Sequence, residues 1–193
     1  MSRAAVTTDQ RAHPAATGLA DGGNLAPRHR MALPAVNTTL HTYLNDHLSG
    51  SSAAIQLLDH LIDTAAHDQE RSFFQQLQSE VAADRATLEQ LLVQSGGEPS
   101  GLRKAGGALM EWLGRLKLAF DDPSHQQLSR LEALEILALG LHGKRGLWRA
   151  LAVAAADPHG LDFTELERRA EDQHQHVEAR RLETARRVLS ARL

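Results

Sequence analysis

Cysteine is absent from this 193-residue chain. Thiolate zinc sites, iron–sulfur clusters, disulfide frameworks and thiol nucleophiles are therefore excluded. Aromatic residues make up only 4%, too few for the stacking platforms that bind single-stranded nucleic acid. Neither charge sign dominates: 21 Lys and Arg face 24 Asp and Glu, for a net charge of −3. The sequence pI is about 6.4. That balance gives no electrostatic footprint for nucleic acid. Apolar runs are short, and none approaches the ~20 residues that cross a bilayer. A secretory leader needs an apolar stretch of ~7–15 residues, and none is visible near Met1. The absence of disulfides fits a reducing compartment, so the expected location is cytoplasmic.

Residues 1–36 hold Pro14, Pro27, Pro34 and the pair Gly22-Gly23, without helical periodicity. They read as a disordered tail. Arg3, Arg11, Arg28 and Arg30 outnumber Asp9 and Asp21 there, and Met31 offers an alternative translation start. Residues 37–193 are expected to form one all-α domain, long enough to keep a core without disulfides or a structural metal.

Four amphipathic stretches stand out, over about 38–66, 68–95, 124–156 and 162–192. In the first, Leu44, Leu48, Ile55, Leu58, Ile62 and Ala65 recur at helical spacing. Thr38 or Thr39 is placed to cap it. Its middle, Ser49 to Ala54, is built of small residues that admit a close neighbour or leave space. The second carries the clearest stripe: Phe74, Leu77, Val81, Asp84, Leu88 and Leu91, with one acid among five apolar residues. Gly96-Gly97, Pro99 and Gly101 stop it. The third is the most apolar, from Leu128 to Leu151, and is expected to be buried. Its glycines 140, 143 and 146 suggest a face that lets a neighbouring group come close. Lys144 follows one of them, but the Walker pattern fails, because Ala138 and Arg145 stand where glycine and Ser or Thr are required. The fourth is highly charged. It opens near Asp162 or Thr164, and Thr164 with Glu167 has capping-box spacing. Its core stripe is thin: Leu166, Ala170, Gln173, Val177, then Arg180 or Arg181.

The second and third stretches are separated by 96–123, far longer than the ~2–8 residues usual in bundles. A link of that length can traverse the bundle and set the third helix parallel to the second, the one-crossover topology. Within it, Leu109, Trp112, Leu113, Leu116 and Phe120 define a short amphipathic helix over about 102–120.

Function rests on polar residues at core positions. Asp84 interrupts its stripe, with Glu80 one turn earlier. Glu132, Glu135 and His142 share a face of the third helix, as do Glu171, His174, Glu178 and Arg181 on the fourth. His47 stands beside Leu44 and Leu48, and the Leu-x-x-His spacing recurs at Leu139–His142. A buried carboxylate needs a partner, a proton or a metal. One reading is a buried polar network of His47, Asp84, Arg85, Glu135, His142, Glu178 and Arg181 that fixes helix register.

The layout over 38–192, with the Glu-x-x-His spacing of Glu171 and His174, resembles the ferritin-like superfamily, and within it the uncharacterised bacterial bundles. The resemblance implies a four-helix bundle with metal ligands at mid-height. Carried over, it gives Glu171 and His174 from the fourth helix, Glu135 from the third and Glu80 from the second. The second motif is broken, because position 83 is alanine and the next polar residue is Asp84. The first helix contributes no glutamate. Two functions follow. The first is a non-catalytic, homo-oligomeric structural or interaction module, with a polar network in place of a full metal site and no cofactor. The second is a divergent dinuclear iron or manganese protein, holding metal through Glu80, Asp84, Glu135, Glu171 and His174 and reacting with oxygen or peroxide.

Overall fold

A computed structural model of the chain describes residues 38–99, Gly114, 126–154 and 160–190. The tail read over 1–36 and the crossover helix read over 102–120 lie outside these residues, apart from Gly114. All regular structure among the described residues is helical: α1 (Thr38–Asp63), α2 (Asp68–Gln94), α3 (Gln126–Ala154) and α4 (Phe163–Leu189).

Local chemistry explains where the helices start and stop. Along α1, Thr42, Asn45, Ser49, Ser51 and Ser52 donate side-chain hydrogen bonds to carbonyls three or four residues back. Its thin polar middle is thereby satisfied within the helix. At the start of α2, Glu70 accepts from the Ala66 amide at 3.2 Å, and Asp68 and Glu70 complement the helix dipole. Its end is a Schellman motif. The Gly97 amide reaches the Leu92 carbonyl and the Gly96 amide reaches Val93, with Gly96 at φ 82°. A Cβ on Gly97 would lie 2.4 Å from a Leu92 methyl, so this turn needs glycine at both positions. The cap of α4 is Asp162, whose carboxylate accepts from the Glu165 amide at 3.0 Å. That corrects the Thr164 box: Thr164 already lies inside the helix, and the cap stands two residues earlier.

The helix directions are fixed by side-chain pairs. Glu70 bonds Arg130 and Asp84 bonds Lys144. Each step is fourteen residues in the same sense on both helices, so α2 and α3 run parallel. The partners Gln78–Asp59 and Arg85–Ser52 make α1 antiparallel to α2. Arg181–Glu135 and Arg145–Glu171 make α4 antiparallel to α3. Two parallel helices adjacent in sequence need a connection that travels the length of the bundle.

The apolar core falls into two layers. One holds Leu57, Leu58, Leu61, Phe74, Leu77, Val81, Leu134, Leu137, Leu141 and Val177. The other holds Leu44, Leu48, Leu88, Leu92, Leu147, Trp148, Phe163 and Ala170. The second helix's stripe is buried from Phe74 to Leu91, Asp84 included. The fourth helix's stripe continues to Thr184 rather than to an arginine. Arg180 instead lies over the Phe73 ring at 4.5 Å. Burial of α3 is one-sided, not complete: Leu139 is 72% and Val153 86% exposed.

Candidate functional site

Between the two apolar layers lies a polar one, at the height of Asp84, Lys144 and Gln173. The Asp84 stripe position turns its carboxylate inward, and only 2% of the residue is exposed. A bare charge there would be strongly disfavoured. Asp84 Oδ2 accepts from Lys144 Nζ at 2.6 Å and from Gln173 Nε2 at 3.3 Å. Its Oδ1 accepts from Arg169 at 2.7 Å. Lys144 Nζ also donates to Gln173 Oε1. Three helices thus converge on one acid, and both of its oxygens are occupied. Burial lowers the Lys144 pKa below the usual lysine value, and the adjacent Asp84 carboxylate opposes that shift.

The other sequence candidates stand elsewhere. Glu80 accepts from Gln76 at 3.0 Å and lines a recess of about 200 Å³ with Phe73, Gln173 and His176. Glu135 and Glu178 both meet Arg181, at 3.3 and 2.7 Å. The Arg181 hydrogen bond lowers the Glu178 pKa, and Glu178 in return raises that of Arg181. Glu171 pairs with Arg145 at 2.9 Å. Its pKa is lowered first by the Gln175 hydrogen bond, with Arg145 adding to the effect. The His142 and His174 rings lie 5.8 Å apart. His47 packs edge-on against Tyr43, 4.8 Å between ring centres, and burial lowers its pKa. Arg85 points to Ser52 at 3.3 Å and Glu89 at 2.7 Å, not to Asp84. Among the described residues, no three His, Asp or Glu side chains are gathered closely enough to hold a metal ion.

The residues that sequence reasoning missed are therefore Lys144 and Arg169. Gln173, read only as a weak place in a core stripe, is the third partner of Asp84. Glu70 and Arg130 were missed as well. They form a buried pair at 2.6 Å, with Arg130 also donating to the Thr64 carbonyl at 2.6 Å. The one available signal for Glu70 was its place in the first turn of α2.

Beside the polar layer a cleft of about 340 Å³ opens between α1 and α3. Gly50 and Ala54 of α1 face Gly140 and Gly143 of α3 across it, with Asp84, Lys144 and Trp148 in its lining. A Cβ added at Gly50, Gly140 or Gly143 would meet nothing within 4 Å. This corrects the close-approach reading of the α3 glycines, which border open space.

Fold and site together define an all-α four-helix bundle with a cation-neutralised carboxylate at mid-height. No family model, curated protein or solved structure matches the chain.

Proposed function

We propose that the chain is a non-catalytic, ferritin-like bundle acting as a structural or interaction module and assembling as a homo-oligomer. One observation carries the reading: Lys144, Arg169 and Gln173 occupy both oxygens of Asp84. Two fixed cations there repel a metal ion and already supply the charge it would bring. Parallel α2 and α3 support the ferritin-like layout. The outer stripe of α3, where Leu128, Leu139 and Val153 are exposed, supports self-association.

The test is metal loading. The purified protein is incubated with iron or manganese, desalted and assayed by plasma mass spectrometry. Trace metal is the expected result. About two ions per chain, as dinuclear sites hold, and lost on combined Glu171→Ala and His174→Ala replacement, would instead establish the dinuclear reading. Sedimentation equilibrium checks assembly. Leu139→Asp with Val153→Asp is expected to lower the assembly state.

A further inference from the structure

The cleft between α1 and α3 has more specific chemistry than an unfilled gap. Its walls are apolar: Leu57, Val81, Leu137 and Leu141 line it. Asp46, Gly50, Leu139, Gly140 and Gly143, all exposed, mark its mouth. Deep in the lining stand two hydrogen-bond donors, Lys144 and Trp148. They are four residues apart on α3, so they share a helix face about one turn apart.

Both donors have capacity to spare. The lysine ammonium carries three N–H groups. One goes to Asp84 and one to Gln173, and no third partner stands among the described residues. Trp148 is 1% exposed, and its indole N–H has no acceptor among them. A buried donor without an acceptor carries a desolvation penalty that a ligand acceptor would relieve. Lys144 and Arg85 are the cations of the lining, beside the acids Asp84 and Asp46, with Glu80 also acting on Lys144. The cleft volume lies at the lower end of the ~300–1,000 Å³ range of small-molecule sites.

We infer that the cleft binds a single-chain amphiphile whose anionic head takes the free N–H of Lys144 and the indole N–H of Trp148, with its apolar tail between α1 and α3. A carboxylate head offers two acceptor oxygens, one for each donor. The buried acid in the lining, Asp84, is already bonded through both oxygens, and Leu57, Val81, Leu137 and Leu141 give the tail an apolar wall to pack on. The inference goes beyond the module reading but rests on the cation-neutralised centre, which metal loading tests separately. A chain that takes up no metal and refuses the amphiphile overturns the cleft assignment alone.

The probe is dodecanoate below its micellar concentration, titrated into the full chain by calorimetry. In a Trp112→Phe background, Trp148 emission gives a second readout. Saturable binding at one per chain is expected, with no binding of dodecyltrimethylammonium. Lys144→Met and Trp148→Phe are each expected to weaken binding by about tenfold, the scale of one charge-assisted hydrogen bond. Gly143→Leu places a side chain in the cleft at a position where a Cβ is unopposed. It is expected to abolish binding while keeping or raising the melting temperature, so loss of binding there is not loss of fold. The proposal is overturned by no saturable binding, by equal affinity for the cationic detergent, or by binding indifferent to Gly143→Leu. Uptake that occurs only as an oligomer dissociates also overturns it, because a second copy of the chain then fills the cleft.

Discussion

Two acid–base pairs tie α2 to α3 at the same register, and they differ in what surrounds them. Glu70–Arg130 sits near the end where both helices begin. Arg130 spends its remaining reach on the Thr64 carbonyl in the α1–α2 turn, so that pair closes a loop onto the bundle. Asp84–Lys144 sits about 21 Å further along, between the two apolar layers. There the acid collects two more partners from α4, and the lysine borders a cleft. In the first pair the guanidinium's two terminal nitrogens are engaged, on Glu70 and on Thr64, and only Arg130 Nε lacks an acceptor among the described residues. The second is overdetermined on the acid's side and unfinished on the lysine's. The same chemistry at the same register thus sets direction at one end and leaves a receptive centre in the middle.

Breaking the central pair has the largest expected effect. Asp84→Ala leaves Lys144 and Arg169 without their shared counter-charge, and stability is expected to fall by about 3 kcal/mol in urea denaturation. Combining it with Lys144→Met is expected to recover most of that loss. Near-additive losses in the double variant would show that the two groups act independently. Arg130→Met strands Glu70, which keeps its bond from the Ala66 amide, and about 2 kcal/mol is expected from losing the charge-assisted bonds. If that loss equals or exceeds the Asp84 effect, the contrast between end and centre fails.

The smaller tests act on the cleft and on the lysine. Gly143→Ala is expected to stabilise by about 1 kcal/mol, because helix propensity improves and nothing opposes the new methyl. A destabilised variant would show that the cleft is filled. The last test is pH. Burial lowers the folded pKa of Lys144 below its unfolded value. Between those two values the unfolded lysine is protonated and the folded one is not. Unfolding therefore takes up a proton, and stability rises with pH across that window. Urea midpoints of the native chain should rise relative to Lys144→Met as alkaline pH climbs through that window. A relative fall would reverse the sign assigned to burial.

The architecture was legible where one periodicity ran uninterrupted. The stripe from Phe74 to Leu91 named the buried face of α2, and Asp84 announced itself by standing in it. The length of 96–123 foretold parallel α2 and α3. What could not be read was which cations answer the acid. Lys144 and Arg169 are two among 21 Lys and Arg, on helices whose registers against α2 are set only by packing. Arg85, adjacent to Asp84 in sequence, turns to Ser52 and Glu89 because successive helical residues diverge by ~100°. The glycines of α3 misled for a related reason. Their lack of a side chain is compatible with contact or with vacancy, and only the smallness of α1 across from them decides for vacancy.

The parallel runs of α1 and α4 have a consequence for how the domain is joined to anything else. Thr38 starts at the end where His41 bonds the Ser95 carbonyl, whereas α4 finishes beyond Arg181 at the end marked by Glu135. These two points stand a full helix length apart, about 40 Å. A short peptide cannot bridge them, so a circularly permuted version would need a tether of a dozen or more extended residues. Groups anchored directly at Thr38 and at Leu189 would therefore be held a helix length apart by the bundle.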